Sequence, residues 1–197
     1  MKTRKPFPRR GALLVGLALL LLGGAAGCAG DDPQPDEQLP AATRDGRHTL
    51  GCLVDGKVWV PHTRQAIEPR IDSYLSGGNA VHIWADREPT VDGNENIALD
   101  ISGAGPLLPG TYPLGRYCKA TYETSSDLLP NGRRNLYTTE TPGSSGVFTI
   151  TNVEPVPSTS PLVRPYTIVS GTFEFTARAA NGKAVVVRDG RFDVKSY

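Results

Sequence analysis

Residues 170–195 read SGTFEFTARAANGKAVVVRDGRFDVK, and this stretch gives the clearest evidence of the fold class. Apolar side chains alternate with polar ones in FEFTAR, and they alternate again in RFDVK. A period of two is typical of antiparallel strands that bury one face and expose the other. Asn181-Gly182 stands between the two runs and predicts a tight turn. The stretch therefore predicts a β-hairpin, in which Asp189-Gly190 forms a further turn or a bulge.

The same pattern continues upstream. IALDIS at 97–102 alternates clearly, and Asp55-Gly56 predicts another hairpin turn. Residues 154–165, EPVPSTSPLVRP, contain four prolines and predict a long loop. About ten short strands within residues 48–197 predict an all-β domain, either an antiparallel β-sandwich or a small β-barrel. Less regular runs predict further strands near 111–114, 117–123, 136–139 and 147–153.

The first 27 residues have the layout of a secretory signal peptide. Residues 1–10 are basic, residues 11–22 read GALLVGLALLLL, and residues 23–27 are small. A retained transmembrane helix is the alternative, and it needs about 20 predominantly apolar residues. Gly and Ala fill the second end of this segment, so we expect it to be removed.

The end of this segment, Ala25-Ala26-Gly27-Cys28, resembles the bacterial lipobox, in which small residues precede a lipid-modified cysteine. The lipobox usually has Leu where this chain has Ala25. The resemblance implies cleavage before Cys28 and lipid on its thiol. Several acyl chains give a stable membrane anchor, so we expect a protein of the cell envelope, on the outer membrane or the periplasmic face. Ordinary signal cleavage without lipid is the alternative.

Residues 28–47 follow as the lipidated cysteine and a flexible tether, because AGDDPQPDEQLPAATRDGR has almost no large apolar residue. The predicted organisation is thus a signal peptide at 1–27, the anchor and tether at 28–47, and the β-domain at 48–197. Without residues 1–27 the chain keeps 16 basic and 20 acidic side chains, a formal charge of −4. This weakly acidic balance argues against a nucleic-acid partner.

Two segments resemble an uncharacterised family of lipid-anchored proteins from Gram-negative bacteria of the Bacteroidota kind. They are CLVDGKVWVP at 52–61 and the hairpin segment at 170–195. In that family a C-L-V-N-G-K-x-W hairpin and a G-T-F-E-F … DGRF-V segment bracket a variable middle. Asp55 stands where Asn is common, and both residues suit the turn. The resemblance implies a shared fold and brings no established activity.

Three cysteines are present. With Cys28 lipidated, Cys52 and Cys118 remain, and outside the cytoplasm two thiols normally pair. We therefore expect a Cys52–Cys118 disulfide, with two buried free thiols as the alternative. No histidine stands at ligand spacing to either cysteine, so no metal or other cofactor is predicted.

Motifs for catalysis are weak. His48, His62 and His82 have no recognisable setting and are interpreted as surface residues. Residues 142–146, PGSSG, lack the G-x-S-x-G spacing of a nucleophile elbow. Residues 92–103 match a calcium loop at its first three odd positions but lack its glycine and its final glutamate. No catalytic residue is predicted, and the domain is expected not to be an enzyme.

Aromatic residues are the remaining candidates for a binding site, although aromatics at strand spacing more often fill a core. They are Trp59, Trp84, Tyr112, Tyr117, Tyr122 and Tyr137. We predict a non-catalytic binding or structural module of the envelope, whose partner is an envelope protein or a small ligand. The second hypothesis is a calycin-like barrel that carries a small apolar ligand among Trp59, Trp84 and the phenylalanines. The third is a hydrolase in which His62 or His82 meets a nucleophile.

Overall fold

The computed structural model describes residues 38–62, 70–88 and 93–197, so the predicted signal peptide and Cys28 lie outside the described residues. Every regular element within these ranges is a β-strand, and every strand pairing is antiparallel, which confirms the all-β prediction. No helix there has the length and apolar character needed to cross a membrane. The strands are β1 Thr49–Val54, β2 Lys57–Trp59, β3 Ile71–Ser76, β4 Ala80–Arg87, β5 Glu95–Ser102, β6 Gly110–Pro113, β7 Cys118–Leu128, β8 Arg134–Thr138, β9 Ser145–Val156, β10 Tyr166–Arg178 and β11 Ala184–Ser196.

The strands form one curled sheet, a half-barrel, with the order β2-β1-β11-β10-β8-β7-β5-β4-β3. The sheet forks at β10. One edge of β10 pairs with β11, and the other pairs with β9 as far as Thr176. Beyond Thr176 the same edge of β10 pairs with β8, through the single pair Arg178↔Thr138. β6 pairs with β9 and so extends the other branch of the sheet.

Contacts between distant strands hold the curl. His62, just after β2, accepts from the Glu88 N–H at 2.7 Å and donates to the Asp86 carbonyl at 3.2 Å, in a parallel bridge to the end of β4. On β3, the Ser73 hydroxyl donates to the Lys195 carbonyl of β11 at 2.8 Å. The outermost strands therefore meet other parts of the same sheet, which corresponds to an incomplete barrel and not to two stacked sheets.

The predicted turns are confirmed. Asp55 and Gly56 have φ of 47° and 81°, the positive values of a type I′ turn between β1 and β2. Gly182, with φ of 84°, closes the β10–β11 turn. Asp189-Gly190 is a bulge and not a turn, because β11 continues through it while the register against β10 shifts between Phe173 and Phe175.

The long loop is shorter than expected. β9 continues to Val156, and Pro155 pairs with Thr167 of β10, so the loop covers residues 157–165. β6 pairs only with 147–150 of β9, which leaves the outer edge of β9 unpaired at Pro155. A proline is tolerated at such an edge because no partner needs its missing N–H.

Residues 38–47 were expected in the tether, but the structure places them against the domain. The carboxylate of Asp193 on β11, which is 1% exposed, holds them. It accepts from the Thr43 hydroxyl at 2.5 Å and from the backbone N–H groups of residues 45–47 at 2.9–3.1 Å. The Ser170 hydroxyl donates to it at 2.7 Å. Most of these donors are backbone groups, which leave no signal in composition.

Candidate functional site

A pocket of about 480 Å³ opens at the end of the half-barrel that carries the β1–β2 and β10–β11 turns. These turns lie close together, because the Asp55 N–H donates to the Val186 carbonyl at 2.8 Å. The ends of β4 and β7, the start of β5, and β8 contribute the other walls. The functional side chains on these walls are Asp55, Lys57, Trp59, Arg87, Glu95, Tyr122, Asp127, Tyr137 and Lys183.

One side of the pocket is built around Glu95. Its two carboxylate oxygens accept from Arg87 Nη1 at 3.1 Å and from the Tyr122 hydroxyl at 3.0 Å. Burial, and then the adjacent Glu95 charge, raise the pKa of Tyr122 well above its usual range. Tyr122 therefore stays protonated and serves as a hydrogen-bond donor.

The opposite side is built around Asp127. Its carboxylate accepts from Lys183 Nζ at 2.6 Å, from the Tyr137 hydroxyl at 2.5 Å and from Asn135 Nδ2 at 2.8 Å. The hydrogen bond from Lys183 is the main cause that lowers the pKa of Asp127, and those from Tyr137 and Asn135 add to it. Burial, and then Asp127, raise the pKa of Tyr137 to about 12. Asp127 is therefore ionised over a wide pH range.

Trp59 lines the same pocket and is almost wholly buried. Its indole N–H has no acceptor among the described residues. A buried donor without a partner costs about 1–3 kcal/mol, so it marks a place where an acceptor is favoured. The third acidic side chain of the pocket, Asp55, accepts from the Val186 N–H at 2.9 Å. The acids of the pocket are thus all engaged as acceptors within the protein.

Three of the six predicted aromatic candidates meet in this pocket: Trp59, Tyr122 and Tyr137. Trp84 does not join them, because it is 46% exposed on β4. The four phenylalanines in the described residues lie in the core, at 148, 173, 175 and 192. The cavity expected for an apolar ligand, lined by Trp59, Trp84 and phenylalanines, is therefore not assembled by these residues.

The histidines lie elsewhere. His82 Nδ1 lies 2.5 Å from Asp100 Oδ1, and its ring stacks on Tyr74 with the centroids 4.6 Å apart. His48 Nε2 lies 2.7 Å from the Ile71 carbonyl oxygen, while His62 forms the backbone bridge to β4. Across the described ranges no three His, Cys, Asp or Glu side chains are grouped to hold a metal ion. Residue 92, the first position of the calcium pattern, lies outside those ranges.

The predicted Cys52–Cys118 disulfide is not formed, and both residues are buried free thiols. Cys52 lies on β1 opposite Trp59, whereas Cys118 begins β7 and donates from Sγ to the Ser102 carbonyl at 3.3 Å. β1 and β7 are not neighbours in the sheet. Each cysteine instead packs as a small apolar side chain in its own part of the core.

The pocket could not be located from the sequence, because its walls come from seven strands and two turns. Glu95 and Asp127 are ordinary strand residues in their local patterns, and only the fold gives each its partners. The available signal was Trp59 beside a hairpin turn, which marked one wall and not the others.

A family model described as a domain of unknown function (DUF6252) matches residues 76–194, which is more than half of the chain. The match runs from the end of β3 to near the end of β11 and includes the closing hairpin. No curated protein and no solved structure matches the chain. The expectation of an uncharacterised family is confirmed.

Proposed function

We propose that this chain, which belongs to the DUF6252 family of domains of unknown function, is a lipid-anchored binding protein of the bacterial cell envelope. In this proposal lipid on Cys28 attaches the protein to a membrane, and the β-domain binds a small polar ligand without catalysis. The observation that carries the binding role is the pocket around Trp59, Glu95 and Asp127.

The size and the walls of the pocket support a small polar ligand. A volume of about 480 Å³ lies within the range of 300–1,000 Å³ that is usual for small-molecule sites. Three acidic and three basic side chains face it, which disfavours a purely apolar ligand. Because the acids already have donors, the ligand should bring acceptors such as carboxylate or sugar oxygens. Lys57 and Lys183, whose side chains are exposed, would then supply donors.

The state of the carboxylates supports a role without catalysis. A general acid needs a proton near neutral pH, and hydrogen bonds from Lys183, Tyr137 and Asn135 keep the pKa of Asp127 low. One carboxylate oxygen of Glu95 accepts a hydrogen bond from Arg87, and the other accepts one from Tyr122. Both carboxylates are therefore held as fixed acceptors, an arrangement that suits recognition better than proton transfer.

The binding role can be tested by the fluorescence of Trp59. The chain has two tryptophans, so Trp84→Phe leaves Trp59 as the single tryptophan reporter. Titration with a panel of sugars, amino acids, dicarboxylates and inorganic phosphate should give a saturable change in emission with at least one class. Lys183→Ala in the same background should weaken that binding about tenfold, equivalent to about 1.4 kcal/mol.

Lys119→Ala is the matched control, because Lys119 forms a partly exposed ion pair with Asp100 away from the pocket. It should leave the affinity unchanged. An emission that stays constant with every class of compound, or equal weakening by the two lysine variants, would count against binding in this pocket.

The anchor has a separate test, which is the uptake of labelled palmitate by cells that express the full chain. Label should appear in the wild-type protein and disappear in Cys28→Ser, whose precursor should also remain uncut. Equal labelling of the two proteins would reject lipidation at Cys28.

A further inference from the structure

The loop from 157 to 165, which joins β9 to β10, exposes aliphatic side chains. Leu162 is 94% exposed and Val163 is 46% exposed. Hydrogen bonds within the loop fix this shape, since the Ser158 hydroxyl lies 2.6 Å from the carbonyl oxygens of Ser160 and Val163. Leu162 and Val163 lie next to exposed Tyr197, so they form a contiguous apolar surface of the kind that marks a contact.

Aromatic and basic residues surround this loop. The rings of Tyr166 and Tyr197 lie 5.9 Å apart, and Lys195 Nζ lies 5.6 Å from the centre of the Tyr166 ring. The sequence contains no acidic residue between Glu154 and Glu174. We call this surface the loop patch, and it consists of Leu162, Val163, Arg164, Tyr166, Lys195 and Tyr197.

We infer that the loop patch rests on the surface of a lipid bilayer. Exposed aliphatic residues can enter the boundary of the acyl chains, while tyrosines and long basic side chains favour the headgroup level. The positive charges of Arg164 and Lys195 complement anionic headgroups near such a surface. A protein partner fits less well, because six side chains are far fewer than the roughly 20–30 residues of a standard interface.

The location of the loop patch agrees with a membrane contact. The patch lies where β10 begins and β11 ends, whereas Lys183 of the pocket lies at the other end of the same hairpin. β10 has 13 residues, which span about 40 Å at roughly 3.3 Å per residue. A patch on the bilayer would therefore direct the pocket away from the membrane and toward soluble ligands.

The N-terminal segment permits this orientation. Pro40 lies beside Arg191, whose Nη1 donates to the Pro40 carbonyl at 3.3 Å. From Arg191 to Tyr197 is about 20 Å along β11. Ten residue steps from Cys28 to Gln38 can reach about 35 Å when extended. The inference rests on the proposed lipid anchor only in that the anchor would hold the patch beside a bilayer.

The test places a fluorophore at each end of the β10–β11 hairpin in the full chain. Leu162→Cys lies in the patch, and Ala180→Cys is the matched control in the exposed turn at the opposite end. Cys52 and Cys118 are buried, so they should not react with a polar maleimide dye. Cys28 reacts only where it carries no lipid, so the dye taken up by the unsubstituted full chain is measured in parallel and subtracted. Each protein is added to vesicles of phosphatidylethanolamine and phosphatidylglycerol that contain lipids with a doxyl quencher. The dye at position 162 should be quenched at least twofold more than the dye at 180.

The possible outcomes separate the patch from the anchor. Strong quenching at position 162 supports the patch, even if the protein proves to attach without lipid on Cys28. A vesicle-bound protein with equal quenching at both positions, or with none at 162, overturns the patch and leaves the anchor intact. A protein that binds no vesicles at all overturns both. Crosslinking of position 162 to a protein, without quenching by lipid, would assign the surface to a protein partner instead.

Discussion

At the scale of single residues, Asp193 joins the N-terminal segment to the sheet. Its buried carboxylate accepts hydrogen bonds from Thr43, from the backbone of residues 45–47 and from Ser170. Asp193→Ala would leave several buried donors without a partner, so it should lower the free energy of unfolding by about 3 kcal/mol. Urea unfolding followed by circular dichroism measures this loss.

Asp72→Ala is the control for that variant, because Asp72 is an exposed aspartate on strand β3. Its effect should stay within about 0.5 kcal/mol. Equal unfolding midpoints for the two variants would show that the Asp193 contacts contribute little to stability.

The role of Asp193 could not be predicted from its local sequence. Phe192 and Val194 flank it and are buried, as their alternation indicates, so Asp193 should face solvent. The second face of β11 is covered at this point by residues 43–47, which have the composition of a tether. The second face of β11 is buried by a segment almost 150 residues away in the sequence, so the local alternation of residues around Asp193 cannot predict that burial.

The two core thiols give a second prediction at this scale. Burial raises the pKa of Cys52 to about 12 and also raises the pKa of Cys118. The thiolate is the reactive form, so both thiols should resist alkylation at pH 8 in the folded protein and react in urea. Intact mass spectrometry counts the added groups. If the folded protein is two hydrogens lighter before reduction than after it, Cys52 and Cys118 form a disulfide and this prediction is wrong.

At the scale of elements, the packing of β9, β10 and β11 depends on a glycine. Gly171 pairs with Phe192 of β11, whose ring covers the glycine. A Cβ at this position would collide with the Thr149 carbonyl oxygen of β9 and lie 2.7 Å from the Phe192 ring. Gly171→Ala should therefore lower the free energy of unfolding by about 2–3 kcal/mol, because the β9 backbone and the Phe192 ring would both have to move to make room for the methyl group.

Thermal unfolding checks this prediction, and a loss of that size corresponds to roughly 5–10 °C in Tm. Gly105→Ala is the control, since a Cβ there meets no atom within 4 Å. The interpretation is wrong if Gly171→Ala lowers Tm no more than Gly105→Ala does.

The strands themselves were largely predictable, and their arrangement was not. The runs at 111–114, 117–123, 136–139 and 147–153 each match a strand, and the first three extend one residue past an end of that strand. They were predictable because alternation is a local consequence of one buried face. The order of β5, β7, β8 and β10 depends on pairing between distant residues, which periodicity does not encode. The fork at β10 and the polar pocket follow from that order, so both were missed.

At the scale of the whole molecule, two carboxylates connect parts that are distant in sequence. Asp127 on β7 binds Lys183 in the β10–β11 turn, and Asp193 binds the N-terminal segment. Lys183 is the main cause of the lowered pKa of Asp127. Burial acts to raise the pKa of Asp193, but hydrogen bonds from Thr43, Ser170 and the backbone outweigh it and lower the pKa overall.

These shifts predict how stability depends on pH. An unfolded aspartate has a pKa of about 3.9, and both folded groups lie below it, so the unfolded state binds protons first as pH falls. The stability that Asp127 and Asp193 contribute should be complete above about pH 5 and should decline below pH 4. Burial raises the pKa of Asp86, so protonation of this group in acid favours the folded state. The effect of this single carboxylate should be smaller than the combined loss from Asp127 and Asp193.

Urea midpoints measured at pH 7, 5, 4 and 3 should therefore stay level to pH 5 and then decrease. Asp127→Asn and Asp193→Asn each remove one titrating group, so each variant should be less stable at pH 7 and should lose less on acidification. The comparison also separates the two ends of the molecule. If acid acts mainly through Asp127, ligand binding at Trp59 should weaken in acid together with stability, because Asp127 lines the same pocket. A midpoint that remains constant or rises between pH 5 and pH 3 would contradict the assignment of these two carboxylates as the acid-sensitive connections of the fold.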